Sequence, residues 1–300
     1  MDKIKELTRN FYKESGIDID AVAVGVLDFK SDKHTFIEIY KDQCLEEKSM
    51  VYFDLASLTK PLMNSLVYLN EKLDDKDLDL LLNHRAGIPA WGLLPKHGWK
   101  EQILSYNIKE SVTLYSDFSA LRFMLEVEKK TGESYKSLVS KNLDEDLKFW
   151  TDLNGSETCI QNGFYRLKPN IGKVHDPNAY NLNCYTSHAG LFGTIESVGN
   201  TLLNFQKKHD LLKKMNIKTT QRFFNGFDTV EDPINTLAGA GCSTKTFGHL
   251  GFTGTSFWID PDSGLGHIIL TNSTKKSWFH KERLNEFRRE LGQHIWNKST

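Results

Sequence analysis

Residues 53–73 read FDLASLTKPLMNSLVYLNEKL. The later part has the spacing of an amphipathic helix, but the start is unusual: Ser57, a lysine three residues on at Lys60, then Pro61. Proline lacks an N–H and is tolerated in a helix only in the first turn, where that donor has no partner anyway. Pro61 therefore dates the helix start to about Ser57 and puts Ser57 at or next to the N-cap. Lys60 then lies one turn up on the same face, so a hydroxyl and an amine sit side by side at the positive end of a helix. A serine hydroxyl is a weak nucleophile until a neighbour takes its proton. A lysine in a partly desolvated cleft, with its pKa lowered, can be that neighbour. The N–H groups of the first turn can also stabilise an oxyanion. Taken alone, so short a pattern is explained more simply by Ser57 as a plain cap and Lys60 as a solvated residue. The flanks FDLA and PLMNSLVYL are apolar, however, which points to a buried helix start.

Upstream, AVAVGVLDF (from Ala21) and HTFIEIY (from His34) are rich in β-branched and aromatic residues and are separated by polar KSDK, the pattern of a hairpin or two adjacent strands. The first residues, MDKIKELTRNFYKES, place Ile4, Leu7 and Phe11 at helical spacing. Downstream, short amphipathic helices run to about Lys148. The clearest is FSALRFMLEVEKKTG, with Leu121, Met124 and Leu125 on one face and Gly132 as the stop. Residues 151–190 show little periodicity, so an irregular, functional or disordered stretch is expected there. TIESVGNTLLNFQKKH returns to helix, with Thr194 and Ser197 as possible caps. TKTFGHL, GTSFWID and GHIILTNS then read as strands, DPDSG as a turn, and HKERLNEFRRELGQHIW as a closing helix on Leu284, Phe287, Leu291 and Ile295.

Strands at both ends most simply join one antiparallel sheet, with the helical middle inserted as a lobe packed on it. The expected class is α+β, with a single domain over 1–300. Its sheet lobe is 1–56 plus 191–300 and its helical lobe 57–190, with a cleft between them.

The chain has 300 residues, 39% hydrophobic, enough for a sizeable core. Its net charge of −1 argues against a nucleic-acid surface or a polybasic membrane patch. Cys44, Cys159, Cys184 and Cys242 form no C-x-x-C pair, so a thiolate zinc site is not expected and a reducing compartment is. No stretch reaches the ~18 apolar residues of a membrane span, and the charged N-terminus lacks a secretory h-region. These features favour a cytoplasmic protein and leave the oligomeric state open; the small-molecule or short-peptide substrate expected of it follows only from the resemblance described next.

Two further motifs follow Ser57. Tyr115-Ser116-Asp117 precedes an apolar helix, and His249-Leu250-Gly251 is followed by Thr253-Gly254. Read plainly, Ser116 or Asp117 is a cap, Tyr115 a packed aromatic and His249 a half-buried structural histidine. Glycines within a strand also mark close approach of a ligand. In this order the three motifs resemble the S-x-x-K, S-D-N and K-T-G set of the class C β-lactamase and penicillin-binding-protein superfamily of serine hydrolases, especially its esterase and D-aminopeptidase-like branches. LLNHRAGIP, GKVHDPNA and SHAGLFGT extend the likeness, which runs from about Val22 to Ser273.

The resemblance implies a β-lactamase/transpeptidase-like fold, with an antiparallel sheet flanked by helices. It implies Ser57 as the acylated nucleophile, Lys60 as its activator and Tyr115 as the proton carrier. The backbone N–H groups of Ser57 and Phe252 would form the oxyanion hole. Asp117, His249, Gly251 and Thr253 would meet the substrate, His249 and Thr253 along the exposed edge of a strand. No metal or organic cofactor is implied. Asp117 stands where many members carry Asn and should hold Lys60 charged. His249 and Leu250 replace the lysine and threonine of K-T-G, which disfavours efficient penicillin hydrolysis and favours an ester, amide or peptide. The same changes motivate an alternative, a fold of this type that binds a peptide or protein with little or no turnover.

Among other groups, His175-Asp176 is too isolated for a metal phosphohydrolase and is expected to order a loop at the cleft mouth. His84 and His188 are expected to hold loop backbones. Trp91, Trp99 and Phe164 either line the substrate pocket or cover the edge of the core.

Overall fold

The computed structural model describes residues 1–277 and 281–297. His280, the first residue of the closing segment quoted above, lies outside the described residues, and the helix itself is Lys281–Trp296.

The alternation in AVAVGVLD builds the centre of the molecule. Strand Ala21–Asp28 pairs antiparallel with Lys33–Tyr40 on one side and with Leu265–Thr271 on the other, with Val24 opposite both Ile37 and Ile269. Both chain ends thus meet in one sheet. Its eight strands run Phe223–Phe224, Phe227–Thr229, Phe247–Leu250, Ser256–Asp260, Leu265–Thr271, Ala21–Asp28, Lys33–Tyr40, Gln43–Leu45, each antiparallel to its neighbours.

Side chains of period two send Val22 and Val24 to one face and Ala21, Ala23 and Leu27 to the other. The valine face is covered by the terminal helices Asp2–Glu14 and Lys281–Trp296, which stack Phe11 on Phe287 at 4.4 Å. The alanine face belongs to the large core that also takes in Leu66, Leu121, Phe123 and Leu202. Small residues are needed there. A Cβ on Gly25 would come within 3.3 Å of Ile195, at the head of helix Ile195–His209. That helix starts on a capping box between Thr194 and Ser197, and helix Asp117–Thr131 ends on left-handed Gly132 (φ 72°), both as the sequence suggests. Among the described residues no helix is long and apolar enough to cross a membrane.

Two expectations need correction. Ser57 is not an N-cap. The segment opens as a 3-10 turn over Ala56–Leu58 with Leu55 before it, and Pro61–Ser65 follows as a π-turn before α-helix Leu66–Asn70. Pro61 cannot donate, and Leu66 N–H reaches back to the Pro61 carbonyl, so the turn widens by one residue. Residues 151–190 are also more ordered than their composition suggests. They contain the hairpin Gln161–Tyr165 with Lys168–Ile171 and the helix Pro177–Leu182, capped by Asp176. The hairpin is mostly solvated, so it shows no buried period, and Pro and Asn within it mask its strands.

The sheet meets the Ser57 turn through residues 251–255. Gly251 N–H donates to the Thr255 carbonyl at 2.7 Å, while the Thr255 and Thr253 hydroxyls donate to the carbonyls of Leu55 and Asp54 at 3.0 and 2.6 Å. A Cβ on Gly251 would lie 1.9 Å from Thr255 Oγ1 and 2.8 Å from the Leu55 carbonyl oxygen. Gly251→Ala is therefore expected to destabilise the protein by about 1–3 kcal/mol, read as a lower urea midpoint at unchanged m-value. An unchanged midpoint would refute this packing constraint.

Candidate active site

Strand Val51–Asp54 ends on a buried carboxylate that the apolar reading of FDLA passed over. Asp54 Oδ1 accepts from Ala56 N–H at 2.9 Å, and Oδ2 accepts from His175 N–H and Asn162 Nδ2, both at 2.7 Å. It thus ties the Ser57 turn to the hairpin and to the His175 loop. Ala56 is held at φ 48°, a left-handed conformation uncommon for alanine, and the bond from its N–H to Asp54 supports it. Burial pushes the Asp54 carboxyl up to about 6, against the pull of these donors. An aspartate in an otherwise apolar strand was the signal available in the sequence, since a buried carboxylate needs partners.

Lys60 is buried among polar partners. Its Nζ lies 3.1 Å from Ser57 Oγ, 2.9 Å from the His188 carbonyl and 2.7 Å from Asp117 Oδ1. Burial presses the Lys60 pKa down, but the Asp117 carboxylate, helped by Tyr115, outweighs it and leaves the pKa above its ordinary value. The expectation of a lysine with lowered pKa is thereby overturned, in the sense that Asp117 suggested.

Tyr115 is set by aromatic packing. Its ring lies 4.7 Å from His84, 5.8 Å from Phe223 and 5.9 Å from His249, and the hydroxyl bonds to both Ser57 and Lys60. Burial raises its pKa, and the Lys60 charge only partly opposes this. His84 Nδ1 accepts from Ser116 N–H at 3.2 Å, and Ser116 caps helix Asp117–Thr131 through Ser119 N–H. The Tyr115, Ser116 and Asp117 side chains therefore divide into one that reaches Ser57, one that caps and one that fixes Lys60.

Two cavities meet at Ser57, sharing Ser57, Tyr115 and Phe252. One, of about 380 Å³, is also lined by Trp91, Asp117, His175, Asp176 and His188. The other, of about 280 Å³, is lined by His249 to Phe252, by Arg222, Phe223 and Asp228, and by Lys281 and Arg288 of the last helix. His249 donates from Nδ1 to the Leu250 carbonyl at 2.8 Å. Burial, then Lys60, holds it neutral with a pKa of about 3. Gly251 lines this cavity, but Thr253 does not line either one. Its hydroxyl turns inward and donates to the Asp54 carbonyl, so it clamps the Ser57 turn.

The remaining candidates separate. Asp176 accepts from His188 Nε2 at 2.8 Å and caps helix Pro177–Leu182. Burial alone would raise its carboxyl, but the imidazole holds it down at about 2. Trp91 lines the larger cavity, Trp99 is buried in the core, and Phe164 stands exposed on the hairpin. Among the described residues no cluster of three His, Cys, Asp or Glu side chains is placed to hold a metal ion.

The beta-lactamase family model matches residues 68–289, well over half of the chain. The chain belongs to the beta-lactamase family. Its mixed α+β fold is the family's own. A curated relative from Escherichia coli O157:H7, "Putative D-alanyl-D-alanine carboxypeptidase", is 31% identical over 143 residues, 41% of this chain and 32% of the relative. The chain thus spans about a third of that protein's length. Among solved structures, a class C beta-lactamase from Rhodobacter sphaeroides superposes with a TM-score of 0.65 at 15% identity, over 98% of this chain and 99% of the other. A D-amino acid amidase from Ochrobactrum anthropi SV3 superposes with a TM-score of 0.64 at 14% identity, over 99% and 100%. These two likenesses concern the fold.

Asp54→Ala strands three buried or half-buried donors at once. It is expected to cost ~3 kcal/mol or more in urea unfolding. A loss below ~1 kcal/mol would show that Asp54 is not what holds the turn.

Proposed function

We propose that the chain catalyses two-step acyl transfer to water through an ester on Ser57, with an ester, amide or D-amino-acid peptide as substrate. The observation that carries this reading is the 3.1 Å contact of Ser57 Oγ with Lys60 Nζ where two cavities meet. The carboxypeptidase and amidase among the relatives support the reaction class.

In this reading Ser57 Oγ attacks the acyl carbon, and the backbone N–H groups of Ser57 and Phe252 receive the developing oxyanion. The Ser57 proton passes to Tyr115 and from there to the leaving group. In the second half, Tyr115 takes a proton from water as it attacks the ester and passes it to Ser57 Oγ as the acyl C–Oγ bond breaks, which frees the acid and restores the serine. Lys60 acts mainly as a fixed positive charge, because Asp117 keeps it protonated. The reactive form of the Lys60–Tyr115 pair has lost one proton. Both groups are raised, so that form is sparse at neutral pH and grows as pH rises. His249 is neutral and Leu250 donates nothing, so neither supplies a strong clamp for a penicillin carboxylate.

The 2.7 Å Lys60–Asp117 pair also favours a second reading, a cleft that binds a peptide or protein partner with little turnover. A fluorophosphonate probe separates the two. Covalent labelling at Ser57 supports the hydrolase, and a folded, unlabelled chain supports the binder. On a chromogenic short-chain ester, Ser57→Ala is expected to lose at least 100-fold in kcat, with the acyl-enzyme visible by mass spectrometry in the wild type only. Equal hydrolysis by the two proteins would remove Ser57 from the mechanism.

The pH profile tests the proton carriers. Wild-type kcat/KM on a neutral ester should climb from acid into alkaline pH. Asp117→Asn removes the charge that raises both Lys60 and Tyr115. Its rise should move down by about one pH unit or more. A rise at unchanged pH in Asp117→Asn would exclude this pair as the titrating base.

A further inference from the structure

The hairpin Gln161–Tyr165 with Lys168–Ile171 concentrates exposed apolar side chains: Phe164 is 56% exposed, Leu167 95% and Ile171 53%. The register gives them a common side. Phe164 pairs with Pro169, so the two share a face, and Ile171, two residues beyond Pro169, shares it too. The opposite face turns inward, where Tyr165 packs on Tyr180 at 4.3 Å and buried Asn170 bonds to Asn162 at 2.8 Å. Arg166 and Leu167 form the two-residue tip, both left-handed at φ 48° and 65°. A tip of this kind favours Asn-Gly, yet here it presents a leucine to solvent. The same stretch is basic. Arg166, Lys168 and Lys173 are exposed, and residues 161–173 contain no carboxylate. The flanking acids are engaged elsewhere, Glu157 with Lys148 and Asp176 with His188. Among the described residues none of the three cations has a carboxylate within ion-pair distance. The net charge of −1 is a whole-chain sum that conceals this cluster.

An apolar ridge collared by unpaired cations suits a boundary that is negative at its surface and apolar beneath. A stable protein interface takes about 800 Å² from each partner, whereas this ridge offers on the order of a few hundred Å². We propose that the hairpin docks the protein on an anionic lipid bilayer. Phe164, Leu167 and Ile171 enter the acyl boundary, and Arg166, Lys168 and Lys173 lie against the headgroup phosphates. This docking does not depend on the chemistry at Ser57. The root of the hairpin nevertheless lies at the site. Asn162 donates to Asp54, and a Cβ on Gly163 would lie 3.1 Å from His175, which lines the larger cavity. A docked hairpin therefore holds that cavity within its own length of the lipid surface.

Vesicle flotation tests the docking. The wild-type protein is expected to rise with vesicles of phosphatidylcholine and phosphatidylserine in equal parts, and at least tenfold less with phosphatidylcholine alone. Added salt should weaken the binding. Two variants at exposed positions separate the contributions: Phe164→Ser with Leu167→Asp, and Arg166→Gln with Lys168→Gln and Lys173→Gln. Each should lose at least tenfold in partition coefficient with the urea midpoint unchanged. In Leu167→Trp, brominated phosphatidylcholine in the anionic vesicles should quench fluorescence beyond the quenching seen in wild type. No flotation of wild type on anionic vesicles, flotation that either variant retains, or quenching of Leu167→Trp no greater than wild type overturns the proposal. A dimer in sedimentation that Phe164→Ser with Leu167→Asp dissolves, without lipid binding by wild type, assigns the ridge to a second copy and overturns it as well.

Discussion

The buried carboxylate of Asp54 is the constraint on which the site depends. The Ser57 turn lies at the floor of a cleft, with Leu55 and Leu58 anchored in the core beneath it. Polar bonds fix its backbone. The Asp54 side chain accepts from Ala56, His175 and Asn162, and its own carbonyl accepts from Thr253. One residue thereby joins the strand before Ser57, the loop before helix Pro177–Leu182 and the tight turn at the end of a sheet strand. The left-handed backbone at Ala56 is tolerable because these partners fix it from both sides. Such a network is strong only when complete, since each member removed leaves others desolvated and unpaired.

The charge of Lys60, beside Ser57, is set by a competition. Burial alone would favour the neutral amine, which is the form that accepts a proton. Asp117, at 2.7 Å, reverses that preference. In the proposed mechanism the proton-accepting duty therefore falls to Tyr115, which is itself buried among His84, Phe223 and His249. The one carboxylate of Asp117 thus fixes the charge of the lysine it touches, while Ser57, Lys60 and Tyr115 stay within hydrogen-bond reach of one another.

Much of this was legible in the sequence. The hairpin at Ala21, the return strands up to Ser273 and the cap at Thr194 follow from period, turn chemistry and capping, which are local. Ser57, Lys60, Tyr115 and Asp117 were legible as a set because their order and spacing are specific. What failed was non-local. Thr253 was expected to face substrate, but its orientation is set by the Asp54 carbonyl, 199 residues away in sequence. The hairpin at Gln161 has no hydrophobic period because it is largely solvated. Arg222 stands far in the chain from Lys281 and Arg288, and only the pairing of the edge strands with the last helix packed nearby brings it to their wall.

That wall gives a physical reason for the histidine of the K-T-G counterpart. Position 249 is buried, and the charges of Lys60 and Arg222 both act on it, each disfavouring a proton on the imidazole. A lysine there would add another cation to a cavity already lined by Arg222, Lys281 and Arg288, and burial would drive it toward the neutral amine. A neutral imidazole avoids that repulsion, ties its Nδ1 to the Leu250 carbonyl and leaves Nε2 as an acceptor at the cavity wall. The positive charge of the cavity is then carried by Arg222, Lys281 and the buried Arg288, and not by a residue of the strand itself.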